Sequence, residues 1–268
     1  LSGDSHQCEY YAEHGITGLP GGLAEFIAVS AVNAVRVRSG LDPAEAALVE
    51  PLGCIIHSSD AVAAAHTRYR LNAAGENRVR AVLVCGAGTA GLLFIQYLRR
   101  VLKYEGLLLV SAPSEWKRSL AKGFGADEVL DARNPDLAKE VLDKTAGRGV
   151  EYLIEASGAG SVVAAMPGLI RKQATVMLYG HGHAGVDLSV LNNLMFREPT
   201  LVTPVGASGG FRDDGRPSVY AEALRLIEDG TIEVASIITH RYRSLDAVQG
   251  ALEKDMRTPH FLKGVVTL

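Results

Sequence analysis

The central part of the chain alternates short, continuously apolar runs with longer amphipathic stretches. The run Val82-Leu83-Val84 has no alternation of apolar and polar residues. Such runs are typical of strands in a parallel sheet that helices cover on both faces. The spacing is that of β-α-β units, so we predict a doubly wound α/β domain with six parallel strands. Predicted strands are Ala81–Cys85, Leu107–Val110, Glu128–Leu130, Tyr152–Glu155, Thr175–Tyr179 and Leu201–Val205, and predicted helices are Ala90–Val101, Glu115–Lys122, Leu137–Lys144 and Val162–Ile170.

The segments on either side of this domain have a different pattern. An early strand is predicted at Leu23–Val29. A helix is predicted after Asp42 as N-cap, with Pro43 in the first position, Glu45 completing a capping box, and Pro51 marking a break. Later predicted elements are helices at about Ile55–Arg68, Val219–Glu228 and Leu245–Glu253, and strands at about Ile237–Ile238 and Gly264–Leu268. We predict a domain begun by residues 1–50 and resumed by 206–268, with the sheet domain at 51–205 between them.

Composition narrows the class of protein. Of 268 residues, 47% are hydrophobic and 21% charged, as in soluble globular proteins. The net charge of −3 gives no electrostatic basis for binding nucleic acid or an anionic membrane. The cysteines Cys8, Cys54 and Cys85 lie far apart and form no disulfide framework, so we expect a reducing cytoplasm. No apolar stretch is long enough to span a bilayer, and the polar opening residues are not a signal peptide. Since the chain starts with Leu1 and soon enters a strand, we expect part of a domain to lie upstream.

A glycine-rich turn joins the first predicted strand of the sheet to the next helix. Residues 86–91 read Gly-Ala-Gly-Thr-Ala-Gly. In such a turn Gly86 permits a tight bend, Gly88 lets the backbone approach a pyrophosphate, and Gly91 lets helix and strand pack closely. The N–H groups of the helix start, at Thr89 and Ala90, would then face an anion, with the helix dipole behind them. We predict dinucleotide binding, with a purely structural glycine turn as the alternative.

Several segments, in order over almost the whole chain, resemble the medium-chain dehydrogenase/reductase superfamily on its zinc alcohol and polyol dehydrogenase side. The Glu50-Pro51-Leu52 sequence is more similar to sorbitol and threonine dehydrogenases than to liver-type alcohol dehydrogenases. The segments are Gly21–Phe26, the capped helix leading to Glu50 and His57, the glycine motif at 86–91, Ala121–Asp127, Glu155–Gly158 and Lys263–Val266.

The resemblance implies a Rossmann domain inserted into a GroES-like, mainly-β catalytic domain that is incomplete in this chain. It also implies a catalytic zinc, whose Cys and His-Glu ligands in the family come from a segment with no counterpart here. Glu50 resembles the acidic residue near that zinc, His57 would orient the cofactor or a group beside the metal, and Cys8 matches the last cysteine of a structural zinc site. With about four donors needed for each zinc, neither site is complete. The alternatives are a Glu50 that simply ends a helix and bonds to backbone, and a structural His57. A buried carboxylate at Glu50 would be costly unless it is paired or bound to metal. We expect Cys54 and Cys85 to be inert core thiols.

The coenzyme preference depends on the end of the second predicted strand. At the family's usual spacing, the acidic residue that holds the adenosine ribose in NAD-binding domains is replaced by Ala112, preceded by Ser111. Lys117 and Arg118 follow, and either can pair with a 2′-phosphate. We therefore favour NADP over NAD. In the alternative, Lys117 holds a ribose hydroxyl and Glu115 serves NAD.

Two further loops follow predicted strands at their carboxyl ends. Ligands of this fold bind in the crevice outside those ends. We therefore predict that Ser157, Gly158, Gly180 and His181 contact the cofactor. The alternatives are a simple strand-end turn and, for His181 with His183, a pair of metal ligands.

Taken together, the resemblance implies hydride transfer between a secondary alcohol or polyol and NAD(P), with zinc as Lewis acid. We expect this form of the chain to be inactive if the zinc ligands are missing. A non-catalytic NADP-binding protein and a zinc-free quinone or alkene reductase are the alternatives. The resemblance also implies a homodimer or homotetramer, with Pro199–Pro204 as a strand edge that pairs across subunits, although its prolines would blunt that edge.

Overall fold

The computed structural model describes residues 5–38, 40–207, 210–213, 215 and 218–268. The chain divides into two compact units. The sheet unit is Ser58–Pro204, and the flanking unit combines Leu1–His57 with Val205–Leu268. The domain boundaries predicted above, after residues 50 and 205, stay predictions beside these units.

The chain contains ten strands and nine α-helices in its described residues. The strands are β1 (Glu13–His14), β2 (Gly18–Leu19), β3 (Ala81–Cys85), β4 (Leu107–Ala112), β5 (Glu128–Asp131), β6 (Val150–Glu155), β7 (Ile170–Leu178), β8 (Thr200–Val202), β9 (Ile238–Tyr242) and β10 (Lys263–Val266). The α-helices are α1 (Pro43–Ala46), α2 (Val49–Ala64), α3 (Thr89–Gln96), α4 (Glu115–Gly123), α5 (Leu137–Lys144), α6 (Gly160–Leu169), α7 (Val190–Met195), α8 (Ser218–Glu228) and α9 (Ala247–Glu253). None of the helices in the described part of the chain combines the length and apolar character that a membrane crossing requires.

The sheet unit is built on six parallel strands in the order β5-β4-β3-β6-β7-β8. The two central strands, β3 and β6, are buried along their whole length. Leu83, Leu153 and Val176 have no exposed surface and form part of one apolar core. The predicted doubly wound α/β fold is confirmed, because strands buried on both faces must be continuously apolar. The order reverses between β3 and β6, which is where this fold binds ligands.

Most helices differ from their predicted bounds by one or more residues, and two differences change the interpretation. Pro51 does not break a helix but lies in the first turn of α2. Proline is tolerated there because its missing N–H would have no acceptor within the helix. The predicted helix at 90–101 is α3 followed by a π-helical segment, Tyr97–Val101.

The flanking unit departs most from the sequence prediction. The strand predicted at Leu23–Val29 is irregular, and Phe26 is 90% exposed. A strand needs a partner for its backbone groups, and no strand in the described residues pairs with this segment. The paired strands of this unit are β1 with β2, and β9 with β10, both parallel. Asp42 caps α1 by accepting from the Ala44 N–H at 2.9 Å.

Candidate functional site

The three glycines of the turn after β3 meet three different steric demands. Gly86 has φ of +110°, and a Cβ there would lie 3.0 Å from the Ala156 carbonyl oxygen. A Cβ on Gly91 would lie only 2.0 Å from the Gly86 carbonyl oxygen. A Cβ on Gly88 would meet nothing within 4 Å. The turn therefore needs Gly86 and Gly91 for its own packing, whereas the space beside Gly88 is open to a ligand.

The open space lies at the amino end of α3. Gly88 is the N-cap of this helix, and no side chain bonds to the cap. Thr89 and Ala90 are its first two residues, and the first N–H groups of a helix have no acceptor within it. Together with the helix dipole, these donors favour an anion. Gly88, Thr89 and Ala90 thus begin α3, and their contact with a coenzyme stays a prediction.

The loops after β6 and β7 pack against each other at the same edge of the sheet. A Cβ on Gly158 would lie 2.2 Å from the His181 carbonyl oxygen. A Cβ on Gly180 would lie 2.2 Å from Glu155 Oε2. The structure therefore places Ser157, Gly158, Gly180 and His181 in one layer beyond the carboxyl ends of the strands. Backbone approaches this close are possible only with glycine.

Sequence reasoning missed the residue that joins these loops. Glu155 ends β6 and is fully buried. Its carboxylate accepts from the N–H groups of Ser157 at 2.8 Å and Gly158 at 3.0 Å, and from the Ser157 hydroxyl. His183 Nε2 lies 2.7 Å from Glu155 Oε2. A buried carboxylate is costly unless it is bonded, so a charged residue at the end of an apolar strand was the available signal.

His183 is held in the loop after β7 by backbone and side-chain contacts. Its φ is +45°, and its N–H donates to the Gly158 carbonyl at 2.8 Å. His181 is exposed, whereas the His183 ring contacts Glu155. The described residues hold no group of three or more His, Cys, Asp or Glu side chains that could bind a metal. The structure therefore gives no support to a metal site at these two histidines.

The end of β4 presents small residues and a partly buried lysine. Ser111 and Ala112 are buried, and Arg118 Nη1 donates to the Ala112 carbonyl at 2.6 Å. Arg118 also lies 3.5 Å from Asp131, which ends the neighbouring strand. Lys117 forms no ion pair among the described residues, and burial lowers the pKa of its ammonium group. Of the two cations predicted for a 2′-phosphate, Lys117 is the one that remains available.

The remaining predicted site residues lie in the flanking unit. Glu50 lies in the first turn of α2 rather than at the end of a helix. It is exposed, and it accepts from Cys54 Sγ at 3.1 Å. His57 makes an edge-to-face contact with His6 at 4.6 Å between ring centroids. Cys8 is exposed. The structure thus pairs Glu50 with Cys54 rather than with His57 or Cys8.

Two buried thiols fit the expected core role. Burial, together with the Glu50 carboxylate, raises the pKa of Cys54. Burial is also the main reason that the pKa of Cys85 is raised to about 12. Thiols with raised pKa values are poor nucleophiles and poor metal ligands at neutral pH.

Glu50 and Cys54 do not form a site that fits a zinc ion. Zinc is held by about four nitrogen, sulfur or oxygen donors. Glu50 has one thiol beside it, that thiol has a raised pKa, and the described residues offer no metal-binding group. No step can be derived through a zinc ion from the residues described.

Comparison with known proteins identifies the family. Residues 90–229 match the zinc-binding dehydrogenase family. L-threonine 3-dehydrogenase of Pyrococcus furiosus is 31% identical over 251 residues, which cover 94% of this chain and 66% of the relative. D-arabinitol dehydrogenase 1 of Uromyces fabae is 26% identical, covering 92% of this chain and 64% of the relative. The chain thus spans about two thirds of the length of these relatives.

Solved structures support the same assignment. A protein of Sinorhizobium meliloti 1021, described as a zinc-binding dehydrogenase and solved with NADP bound, has a TM-score of 0.73 at 25% identity. It covers 92% of this chain, and 66% of its own length is matched. The alcohol dehydrogenase of Aeropyrum pernix shares the fold with a TM-score of 0.78 at 20% identity, covering 98% of this chain and 70% of its own. The chain therefore belongs to the zinc-binding dehydrogenase family, within the medium-chain dehydrogenase/reductase superfamily.

Proposed function

We propose that this chain forms the coenzyme-binding part of an NADP-dependent dehydrogenase that oxidises a secondary alcohol or polyol. The observation that carries the proposal is the open space beside Gly88 at the start of α3, where the reversal of strand order creates a crevice. The relatives named above are dehydrogenases of threonine and of a polyol, and their chemistry supports this substrate class.

A bound NADP⁺ would supply the hydride acceptor of the proposed reaction. The carbinol hydrogen of the alcohol would leave with its electron pair and the hydroxyl proton would go to solvent, which would leave a ketone and NADPH. The N–H groups of Thr89 and Ala90 would hold the pyrophosphate. The layer of Gly158 and Gly180, fixed by the Glu155 carboxylate, would support the nicotinamide half of the coenzyme.

The preference for NADP rests on charge at the end of β4. No carboxylate occupies position 112. Asp131, the register partner of Ala112 on β5, forms an ion pair with Arg133 at 2.8 Å and lies near Arg118. A 2′-phosphate would therefore meet Lys117 without strong repulsion from Asp131. NAD lacks that phosphate, so it would gain less from Lys117, which could donate only to a neutral ribose hydroxyl.

The test compares both coenzymes by isothermal titration calorimetry on the purified chain. We expect NADP⁺ to bind more tightly than NAD⁺, and Lys117→Ala to weaken NADP⁺ about tenfold, since a charge-assisted bond to phosphate contributes about 1.5 kcal/mol or more. The control is Lys139→Ala on α5, whose ammonium pairs with Asp143. Equal affinity for both coenzymes would refute the NADP preference, and binding of neither would refute the site.

Formation of NADPH from NADP⁺ with polyols or threonine then tests the dehydrogenase activity, and tight binding without turnover would favour a binding protein.

A further inference from the structure

The sheet unit contains a cavity of about 670 Å³ that is surrounded by basic side chains. Its cationic lining residues are Arg68, Arg148, Arg171, Lys172 and Arg197. Arg171 and Lys172 open β7, and the other three lie in segments that lead towards β3, β6 and β8. The cavity therefore lies at the amino edge of the sheet, whereas the glycine-rich turn lies at the carboxyl edge.

Positive charge dominates the wall of this cavity. Glu198 is the one carboxylate among its described lining residues. Arg171 is neutralised by the buried Glu151, whose carboxylate lies 2.8 Å away. The other four cations still outnumber Glu198. Like charges held near one another repel, and a bound anion would relieve that repulsion.

Two of the guanidinium groups are fixed without losing their charge. The guanidinium carbon of Arg68 lies 5.5 Å from the ring centroid of Tyr69, which the neutralised Arg171 also contacts at 5.1 Å. Arg197 Nε donates to the Pro167 carbonyl at 3.0 Å. Aromatic and carbonyl partners orient a cation but do not neutralise it. The cavity therefore presents preorganised positive groups, which lowers the entropic cost of binding.

The backbone at the cavity wall is also unusual. Gln173 has φ of +60°, although it is not glycine, and its side chain accepts from Arg68 Nη1. Its N–H donates to the Arg197 carbonyl at 2.6 Å. Residues held in this region of backbone space cost free energy and cluster at ligand sites. Arg148 and Lys172 are exposed, and their side chains form no ion pair in the described part of the chain.

We propose that this cavity binds a small molecule that carries two or more phosphate groups. Guanidinium groups match phosphate oxygens in a bidentate manner, and lysine adds a point charge. The volume is that of an ordinary small-ligand site. Because the chain as a whole carries a net charge of −3, a long polyanion reaching beyond the cavity is disfavoured. This site does not depend on the proposed dehydrogenase function.

The test uses inorganic tripolyphosphate as the probe, titrated into the full chain at low salt without coenzyme, because NADP⁺ itself carries phosphate groups and would compete for the cavity. We expect saturable binding, and the variants assign it to this cavity. Arg148→Gln and Lys172→Gln should each raise the Kd about five- to tenfold, because each removes one charged contact to phosphate. Neither residue anchors a neighbour through its side chain, so both variants should fold. The matched control, Lys254→Gln, removes an exposed cation of the flanking unit that does not line the cavity, and should leave the Kd unchanged.

Three results would overturn the proposal. Absence of saturable binding would show that the cations bind no phosphate chain. An equal loss of affinity in the Lys254→Gln variant would show that attraction is non-specific. Tighter binding of a single-stranded RNA than of tripolyphosphate, weakened by the same two variants, would make this surface a nucleic-acid site instead. Because Arg148 and Lys172 lie outside the proposed coenzyme site, which its own titration with NADP⁺ tests, failure here leaves the proposed function standing.

Discussion

Replacing Gly88 and Gly91 separately by alanine distinguishes a glycine needed for a ligand from a glycine needed for the fold. Gly88 has φ of −77° and ψ of −172°, which alanine adopts freely, and its added Cβ would meet no atom within 4 Å. Gly88→Ala should leave the free energy of unfolding unchanged or raise it by up to about 1 kcal/mol, because alanine restricts the unfolded chain.

Gly91→Ala should behave in the opposite way. Its Cβ would lie 2.0 Å from the carbonyl oxygen and 2.9 Å from the carbonyl carbon of Gly86. Because both atoms belong to the backbone, helix and turn must separate. Overpacking of this kind costs about 1–3 kcal/mol or more, against a gain of about 1 kcal/mol in helix propensity. We expect a net destabilisation of about 2 kcal/mol.

Urea unfolding with and without NADP⁺ measures both effects. At a coenzyme concentration of one hundred times Kd, the wild-type chain should gain about 2.7 kcal/mol. Gly88→Ala should lose most of this gain while keeping its baseline stability. If Gly88→Ala kept the full gain, Gly88 would not face the coenzyme. If Gly91→Ala were as stable as the wild type, the packing argument from the 2.0 Å approach would be wrong.

Three further variants test other parts of the structure. The Thr175 hydroxyl is buried and has no hydrogen-bond partner among the described residues. Thr175→Val should therefore raise the free energy of unfolding, measured in urea, by about 1 kcal/mol. Thr145→Val, which removes a hydrogen-bonded hydroxyl, should lower it by about 1 kcal/mol. Equal effects of the two variants would contradict this. Glu155→Gln should lower the free energy of unfolding by about 2 kcal/mol, since an amide cannot accept from all the donors that the carboxylate meets. It should also weaken NADP⁺ binding in calorimetry, and unchanged binding would show that Glu155 does not support the coenzyme site. Leu201 is 46% exposed on the edge strand β8, which the resemblance suggests as the contact between subunits. Leu201→Lys should therefore shift the mass in light scattering towards that of the monomer. An unchanged mass would show that this edge is not the subunit contact.

The sequence by itself determined the sheet and its glycine-rich turn. Continuous apolar runs are needed wherever strands are covered on both faces, and β3 occupies the predicted residues Ala81–Cys85. Gly91 follows from its approach to Gly86 and Gly86 from its positive φ, which are local requirements, although Gly86 also lies against the distant Ala156. Gly88 would follow from a single ligand group. Such features can be predicted because they depend on periodicity and on backbone conformation.

The tertiary structure alone decided the contacts between distant segments. Glu155 meets His183, which lies 28 positions away in the chain, and no local pattern encodes that pairing. The segment at 23–29 has the composition of a strand, but a strand forms only when another backbone satisfies its hydrogen bonds. The basic cavity likewise gathers Arg68, Arg148 and Arg197 from three separate loops. Local sequence fixes which conformations are favourable, whereas long-range packing and hydrogen bonding decide which side chains meet.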